Sequence, residues 1–151
     1  MGNYNFRSDL KEAKETEKLV AQMLLDKQPE VECSVTFNND NRWDFQLGNE
    51  TYEVKDDQYS AKSGNVAIET SCRGKPSGIS VTEADWWVHV IYLPTNNEQL
   101  ATFTPTSVVK EMITKDYATL KTGGDKGSST EFYTFPMGYL IEVSNFIIKG
   151  N

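Results

Sequence analysis

The stretch "RWDFQLGNETYEVKDD", residues 42–57, constrains this chain more than any other. Apolar and polar residues alternate on both sides of Gly48-Asn49, a dipeptide suited to a two-residue turn, so an antiparallel hairpin is expected. With that turn the ladder pairs Leu47 with Glu50, Gln46 with Thr51, Phe45 with Tyr52, Asp44 with Glu53 and Trp43 with Val54. One face is aromatic and aliphatic. The other sets Asp44 opposite Glu53, an arrangement that costs stability through like-charge repulsion unless something cationic lies between them. Lys55, two residues beyond Glu53, projects from the same face.

The segment "SDLKEAKETEKLVAQMLLDK", residues 8–27, contains no Gly or Pro and reads as a helix with Ser8 as its N-cap. Leu10, Ala13, Val20 and Leu24 form its apolar stripe, and Glu17 takes the missing position between Ala13 and Val20, while Glu12 and Glu15 turn outward. Taken singly, Glu17 reads equally as a marginal side chain that reaches water, and Asp44, Glu53 and Lys55 as the solvated side of a hairpin. Taken together, three carboxylates at one cleft suit a hard divalent cation, magnesium or manganese, which would remove the repulsion. An ammonium beside such a site suits phosphodiester hydrolysis: it orients or helps deprotonate the attacking water and offsets charge on the transition state.

Further elements are expected in order. "VECSVTF" (31–37) alternates as a strand and "NNDN" (38–41) turns. "NVAIET" (65–70) and "WWVHVIYL" (86–93) read as strands, joined by "SCRGKPSGISVTEAD" (71–85) as a mobile loop closing in a helical turn with Thr82 as a cap. "LATFTP" (100–105) reads as a strand, and "TSVVKEMITKDYATL" (106–120) as a helix with Val109, Met112, Ile113 and Leu120 inward. "KTGGDKGSST" (121–130) reads as a flexible linker, and "EFYTF" (131–135) and "GYLIEV" (138–143) as strands. The expectation is one α/β domain over residues 1–151, a sheet covered by helices.

Glu17 on the first helix, then Asp44, then "EVK" at 53–55, resembles the PD-(D/E)XK nuclease superfamily, which includes restriction endonucleases and archaeal-type Holliday-junction resolvases. The resemblance spans roughly residues 8–95. It implies a restriction-endonuclease-like fold, a mixed central β-sheet flanked by helices, and a magnesium- or manganese-dependent DNA endonuclease. It also implies roles: Asp44 and Glu53 as metal ligands with the main-chain carbonyl of Val54, Glu17 as a further acid at the metal or its waters, and Lys55 as the catalytic lysine. Arg42-Trp43 stands before Asp44 where many members have Pro, so only the core acid matches. Residues 64–90 look like phage-encoded members, in which an acidic strand precedes a Gly-containing loop and an "AD-W" turn. Glu69, on the Ala67 side of its strand, is an additional candidate for the cleft or an edge acid in water. Arg73 and Lys75, in a loop with Gly74, Pro76, Ser77 and Gly78, suit a phosphate backbone.

Composition limits the other classes. The 151 residues hold 15 basic and 22 acidic side chains, a net charge of −7, which argues against broad adhesion to nucleic acid and leaves a local basic strip or bound cations as routes to DNA. Two alternatives follow from that charge: an acidic interaction or DNA-mimic protein without catalysis, and a nuclease subunit that takes DNA affinity from a partner or a homodimer mate. His89 is the only histidine and reads as a packed strand residue, which disfavours Ser-His-Asp and Cys-His catalysis. "GGDKGSS" lacks phosphate-loop spacing. Trp86 and Trp87 read as core before base-stacking platforms. Cys33 and Cys72 are expected reduced. No run approaches a bilayer span, so a soluble, cytoplasmic chain without membrane contact is expected. Substrate form, whether junction, flap, duplex, single strand or RNA, stays open.

Overall fold

The structure is a computed structural model that describes residues 6–27, 35–38, 42–124 and 129–150, with residues 6–10 described in backbone only. The first helix, α1, spans Phe6–Lys27. It begins two residues before Ser8, which therefore lies inside the helix and is not its cap. Val20, Ala21 and Leu24 are buried, Ala13 is exposed against expectation, and the Leu10 side chain lies outside the described residues. Burying Val20 and Leu24 is worth roughly 1.5–3 kcal/mol each, enough to hold α1 on the sheet. The sheet anchors it a second way: the Thr16 hydroxyl lies 3.2 Å from Asp56 Oδ2.

Among the described residues ten strands form two sheets. The strands are β1 (Val35–Phe37), β2 (Phe45–Leu47), β3 (Glu50–Asp56), β4 (Asn65–Cys72), β5 (Lys75–Pro76), β6 (Trp86–Tyr92), β7 (Gln99–Pro105), β8 (Thr119–Gly123), β9 (Thr130–Pro136) and β10 (Phe146–Lys149). Short helices α2 (Ser60–Ser63), α3 (Thr106–Met112) and α4 (Met137–Val143) complete the set. A six-stranded sheet runs β1-β2-β3-β6-β7-β10, and a four-stranded sheet runs β5-β4-β9-β8. In the larger sheet β3 and β6 are parallel and every other pair is antiparallel. The fold is mixed α/β, with a mixed central sheet flanked by helices.

The two central strands are covered on both faces, so β6 is apolar nearly throughout, as parallel pairs are. Val88 and Val90 face α1 together with Tyr52, Val54, Phe45 and Phe103. Trp87 and Ile91 face the other way, into a second core with Val66 and Ile68 of β4, Val109 of α3, and Leu140 of α4. Tyr52 and Val54 point toward α1, so Glu53 and Lys55 project from the opposite face, toward the smaller sheet.

Several expectations are corrected. The 71–85 connector is ordered: β4 and β5 form a hairpin whose turn residues, Arg73 (φ 54°) and Gly74 (φ 77°), are both left-handed, the pattern of a type I′ turn. Thr82 follows the 3-10 turn Gly78–Ser80 and does not cap it. The 106–120 helix stops at Met112, and Leu120 sits in β8, 52% exposed. Of the expected linker, residues 121–123 lie in β8 and Thr130 in β9, with 125–128 outside the described residues. "GYLIEV" is helical in α4, where Met137 and Leu140 fall three apart on the buried face. β10 pairs with β7 at an edge where no strand was expected. Of the 31–37 strand and the 38–41 turn, residues 31–34 and 39–41 lie outside the described residues, as does Cys33. Among the described residues no helix is long and apolar enough to cross a membrane.

Candidate active site

The expected register of the hairpin holds for three pairs, Leu47 with Glu50, Gln46 with Thr51 and Phe45 with Tyr52. Gly48 carries φ 61° at the first turn position, a value that glycine adopts without strain. The ladder then ends. Asp44 and Trp43 do not pair with Glu53 and Val54 as strand partners; instead Asp44 Oδ2 accepts the Val54 N–H at 2.7 Å, and the Asp44 N–H donates to the Tyr52 carbonyl at 2.8 Å. A carboxylate takes the place of a ladder carbonyl, which fixes it at the end of the sheet. The Val54 carbonyl leaves the strand on the same side as its N–H, toward Asp44.

From that position Asp44 stands between Glu17 of α1 and Glu53 of β3. Burial pushes the Glu17 carboxyl up to about 7, with the Asp44 charge adding to the rise and Lys14 and Lys55 opposing it. Burial also pushes Glu53 up to about 7, opposed chiefly by Lys55 and reinforced by Asp44. Lys55 Nζ is 3.5 Å from Glu53 Oε2, and its side chain is 39% exposed. Glu17 is 7% exposed and Glu53 9%, so neither charge is solvated by bulk water. Glu17 Oε2 is buried without a hydrogen-bond partner among the described residues, and Lys14 Nζ, at 3.9 Å, stays beyond hydrogen-bond reach.

The sequence missed one support. The Thr82 hydroxyl lies 3.1 Å from Glu53 Oε1 and 3.2 Å from the Arg42 carbonyl, and it accepts the Ala84 N–H at 3.2 Å. It favours the charged form of Glu53. Threonine in "SVTEAD" offers no sequence signal for this contact, because only the crossover from β4 to β6 brings it beside β3.

The acid cleft is a cavity of about 360 Å³ lined by Asp44, Glu53, Lys55, Ser77, Gly78 and Val81, among others. The limb leaving the Arg73-Gly74 turn thus walls the cleft, and exposed Lys75 lies one residue from its rim at Pro76. Gly78 (φ 55°) packs so closely on Glu69 that a Cβ there would strike the Glu69 carbonyl oxygen. Glu69 itself turns away from the acids, accepting the Ser77 hydroxyl at 2.7 Å and lining a neighbouring cavity with Lys55.

His89 is a core residue, as expected. The Trp87 Nε1–H donates to His89 Nδ1 at 3.0 Å, which puts the ring proton on Nε2, where it is donated to Asp57 Oδ2 at 2.8 Å. Trp87 is fully buried and Trp86 half-buried against Phe146. The Thr130 hydroxyl donates to Cys72 Sγ at 3.6 Å.

No family model matches the chain, and no curated protein matches its sequence.

The donor set is all oxygen, as magnesium and manganese prefer, and an orphaned buried carboxylate oxygen is the kind of atom a cation satisfies. Among the described residues, no group of three or more His, Cys, Asp or Glu side chains is close enough together to hold a metal ion. The Asp44 charge raises both Glu17 and Glu53.

Proposed function

We propose that this chain is a metal-dependent nuclease, a DNA endonuclease of PD-(D/E)XK type on a restriction-endonuclease-like fold. One observation carries the reading: Glu17, Asp44 and Glu53 come together from three elements beside Lys55, with both buried glutamates pushed up to about 7 and one Glu17 oxygen unpartnered. Glu17, Asp44, Glu53 and the Val54 carbonyl are the groups that would hold magnesium or manganese. When bound, such an ion supplies Lewis acidity and lowers the pKa of a coordinated water.

The chain's own residues supply the rest. Lys55 lines the cleft with its side chain partly exposed, where its ammonium would orient the attacking water and offset charge on the pentacoordinate phosphorus. Thr82 holds one Glu53 oxygen, so that the other stays directed at Lys55. Arg73 on the β4–β5 turn and Lys75 of β5 neutralise phosphates without reading bases, with Ser77 lining the cleft. The net charge of −7 fits a nuclease that gains DNA affinity from a partner or a second copy.

The test is cleavage of supercoiled plasmid, and of labelled junction, duplex and single-stranded DNA, with magnesium or manganese against chelator. Folded Lys55→Met is expected to lose on the order of a hundredfold in single-turnover rate, the size usual for a lost acid-base or charge-stabilising group. Lys55→Arg is expected to restore little, because a guanidinium is planar and holds its proton. Cleavage by Lys55→Met at the wild-type rate removes the reading.

A further inference from the structure

Lys55 is shared by two cavities. On one side lies the acid cleft, and on the other a cavity of about 250 Å³ between the two sheets, lined by Asp57, Glu69, Trp87, His89 and Phe132, among others. This second cavity continues through Asp57, Ala67 and Phe132 into a larger one of about 500 Å³ that reaches Tyr59 and Lys121. Lys55 thus separates the acid cleft from the second cavity.

The polar wall of the second cavity offers acceptors. Both hydrogen bonds that fix Asp57 fall on Oδ2, from the Ala67 N–H at 2.9 Å and from His89 Nε2 at 2.8 Å, which leaves Oδ1 without a partner among the described residues. Glu69 is held in the same way: Oε2 accepts from Ser77 at 2.7 Å, and Oε1 has no partner among the described residues. Trp87 spends its indole N–H on His89. Phe132 supplies an apolar wall, and Lys55 Nζ lies 5.8 Å from the ring centre of the buried Trp87. A site with an aromatic wall, carboxylate oxygens able to accept N–H donors, and a cation toward the acid cleft is matched to a base and its phosphate.

We infer that this cavity is a subsite for an unpaired nucleobase with adjacent N–H donors, guanine foremost, whose phosphate lies in the acid cleft. The inference rests on the nuclease reading. Guanine presents N1–H and an exocyclic amine side by side, two donors for the two remaining oxygens, Asp57 Oδ1 and Glu69 Oε1, whereas thymine presents one N–H between two carbonyls that the carboxylates repel. In a duplex those donors are used in base pairing, so the substrate class is a strand with at least one unpaired nucleotide beside the scissile phosphate.

The test is a titration of tryptophan fluorescence with dGMP, dIMP and dTMP in saturating magnesium, run beside metal-dependent plasmid cleavage by the same preparation. The wild type is expected to bind dGMP about tenfold or more tightly than dTMP, with dIMP, which lacks the amine, between them. Glu69→Gln, which keeps an acceptor for Ser77 but replaces a free oxygen by a donor, is expected to bring dGMP and dTMP within about twofold, and Phe132→Ala to weaken all three. Equal affinities in the wild type, absence of saturable binding at millimolar nucleotide, or an unaltered preference in Glu69→Gln overturns the inference. Cleavage without base preference removes this subsite alone, while base preference without cleavage keeps the subsite and removes the nuclease reading.

Discussion

Replacing Glu17 by Gln separates the cost of the acid cluster from its use. The Glu17 carboxyl is raised from 4.5 to about 7, so the folded state disfavours its charge. A carboxyl raised in this way contributes stability that is fully present below the unfolded pKa of 4.5 and is lost as pH rises through about 7. The full loss is the shift multiplied by the free energy per pKa unit, roughly 2.5 × 1.36, or about 3.4 kcal/mol, an upper bound because part of the shift is shared with Asp44. Gln is nearly isosteric, carries no charge and can donate to Asp44, so in chelator at about pH 9 Glu17→Gln is expected to be more stable than wild type by about 2–3 kcal/mol. In a domain of this size that is roughly 5–10 °C in melting temperature, read by circular dichroism. At about pH 4 the two proteins should melt together. Saturating magnesium should raise the wild type and narrow the gap at high pH, while Glu17→Gln loses cation affinity and cleavage. A variant that gains equally at both pH values, or that loses stability at high pH, refutes the claim that a buried charge without a cation is what the wild type tolerates here.

Other substitutions probe the neighbours. Asp44→Ala removes the acceptor of the Val54 N–H and should cost about 1–3 kcal/mol in denaturant titrations while sharply weakening manganese binding by calorimetry; Asp44→Asn keeps the acceptor and should lose affinity with little loss of stability. Thr82→Val should drive the Glu53 carboxyl higher, since the hydroxyl favours its charged form, and so move the rising limb of the cleavage pH profile upward; an unmoved profile removes Thr82 from the site. Arg73→Ala with Lys75→Ala should weaken binding to all DNA sequences alike and reduce the salt slope by up to about two counterions, measured by fluorescence anisotropy across salt concentrations.

The short-range features of this protein were legible in its sequence. The Gly48-Asn49 turn set the register of the first hairpin, and the Gly- and Pro-free run from 8 to 27 is helix, because both depend on neighbours within a few residues. Glu17 interrupted an apolar stripe visibly enough to be singled out, and it is buried. Errors came where local pattern and tertiary demand diverge. "GYLIEV" has strand-forming residues, yet its place after β9 gives it one helical turn to bury Met137 and Leu140 against the sheets, and packing outweighs propensity over so short a segment. Leu120 fits a helix stripe by spacing, but the helix stops at Met112 and the chain returns as an edge strand.

What only the tertiary structure decided is how the acids meet. The sequence placed Asp44 opposite Glu53 by extending a ladder that ends one residue earlier. In the fold Asp44 reaches the same neighbourhood by accepting a main-chain N–H, and α1 brings Glu17 to it from the other layer. Thr82 joins Glu53, and Asp57, His89 and Trp87 form a buried chain, through contacts that span the parallel crossover from β3 to β6. Periodicity reports which way a side chain points from its own element; it holds no information on the distance between elements, and the raised glutamate pKa values, the shared cavities around Lys55 and the unpartnered oxygens all follow from that distance.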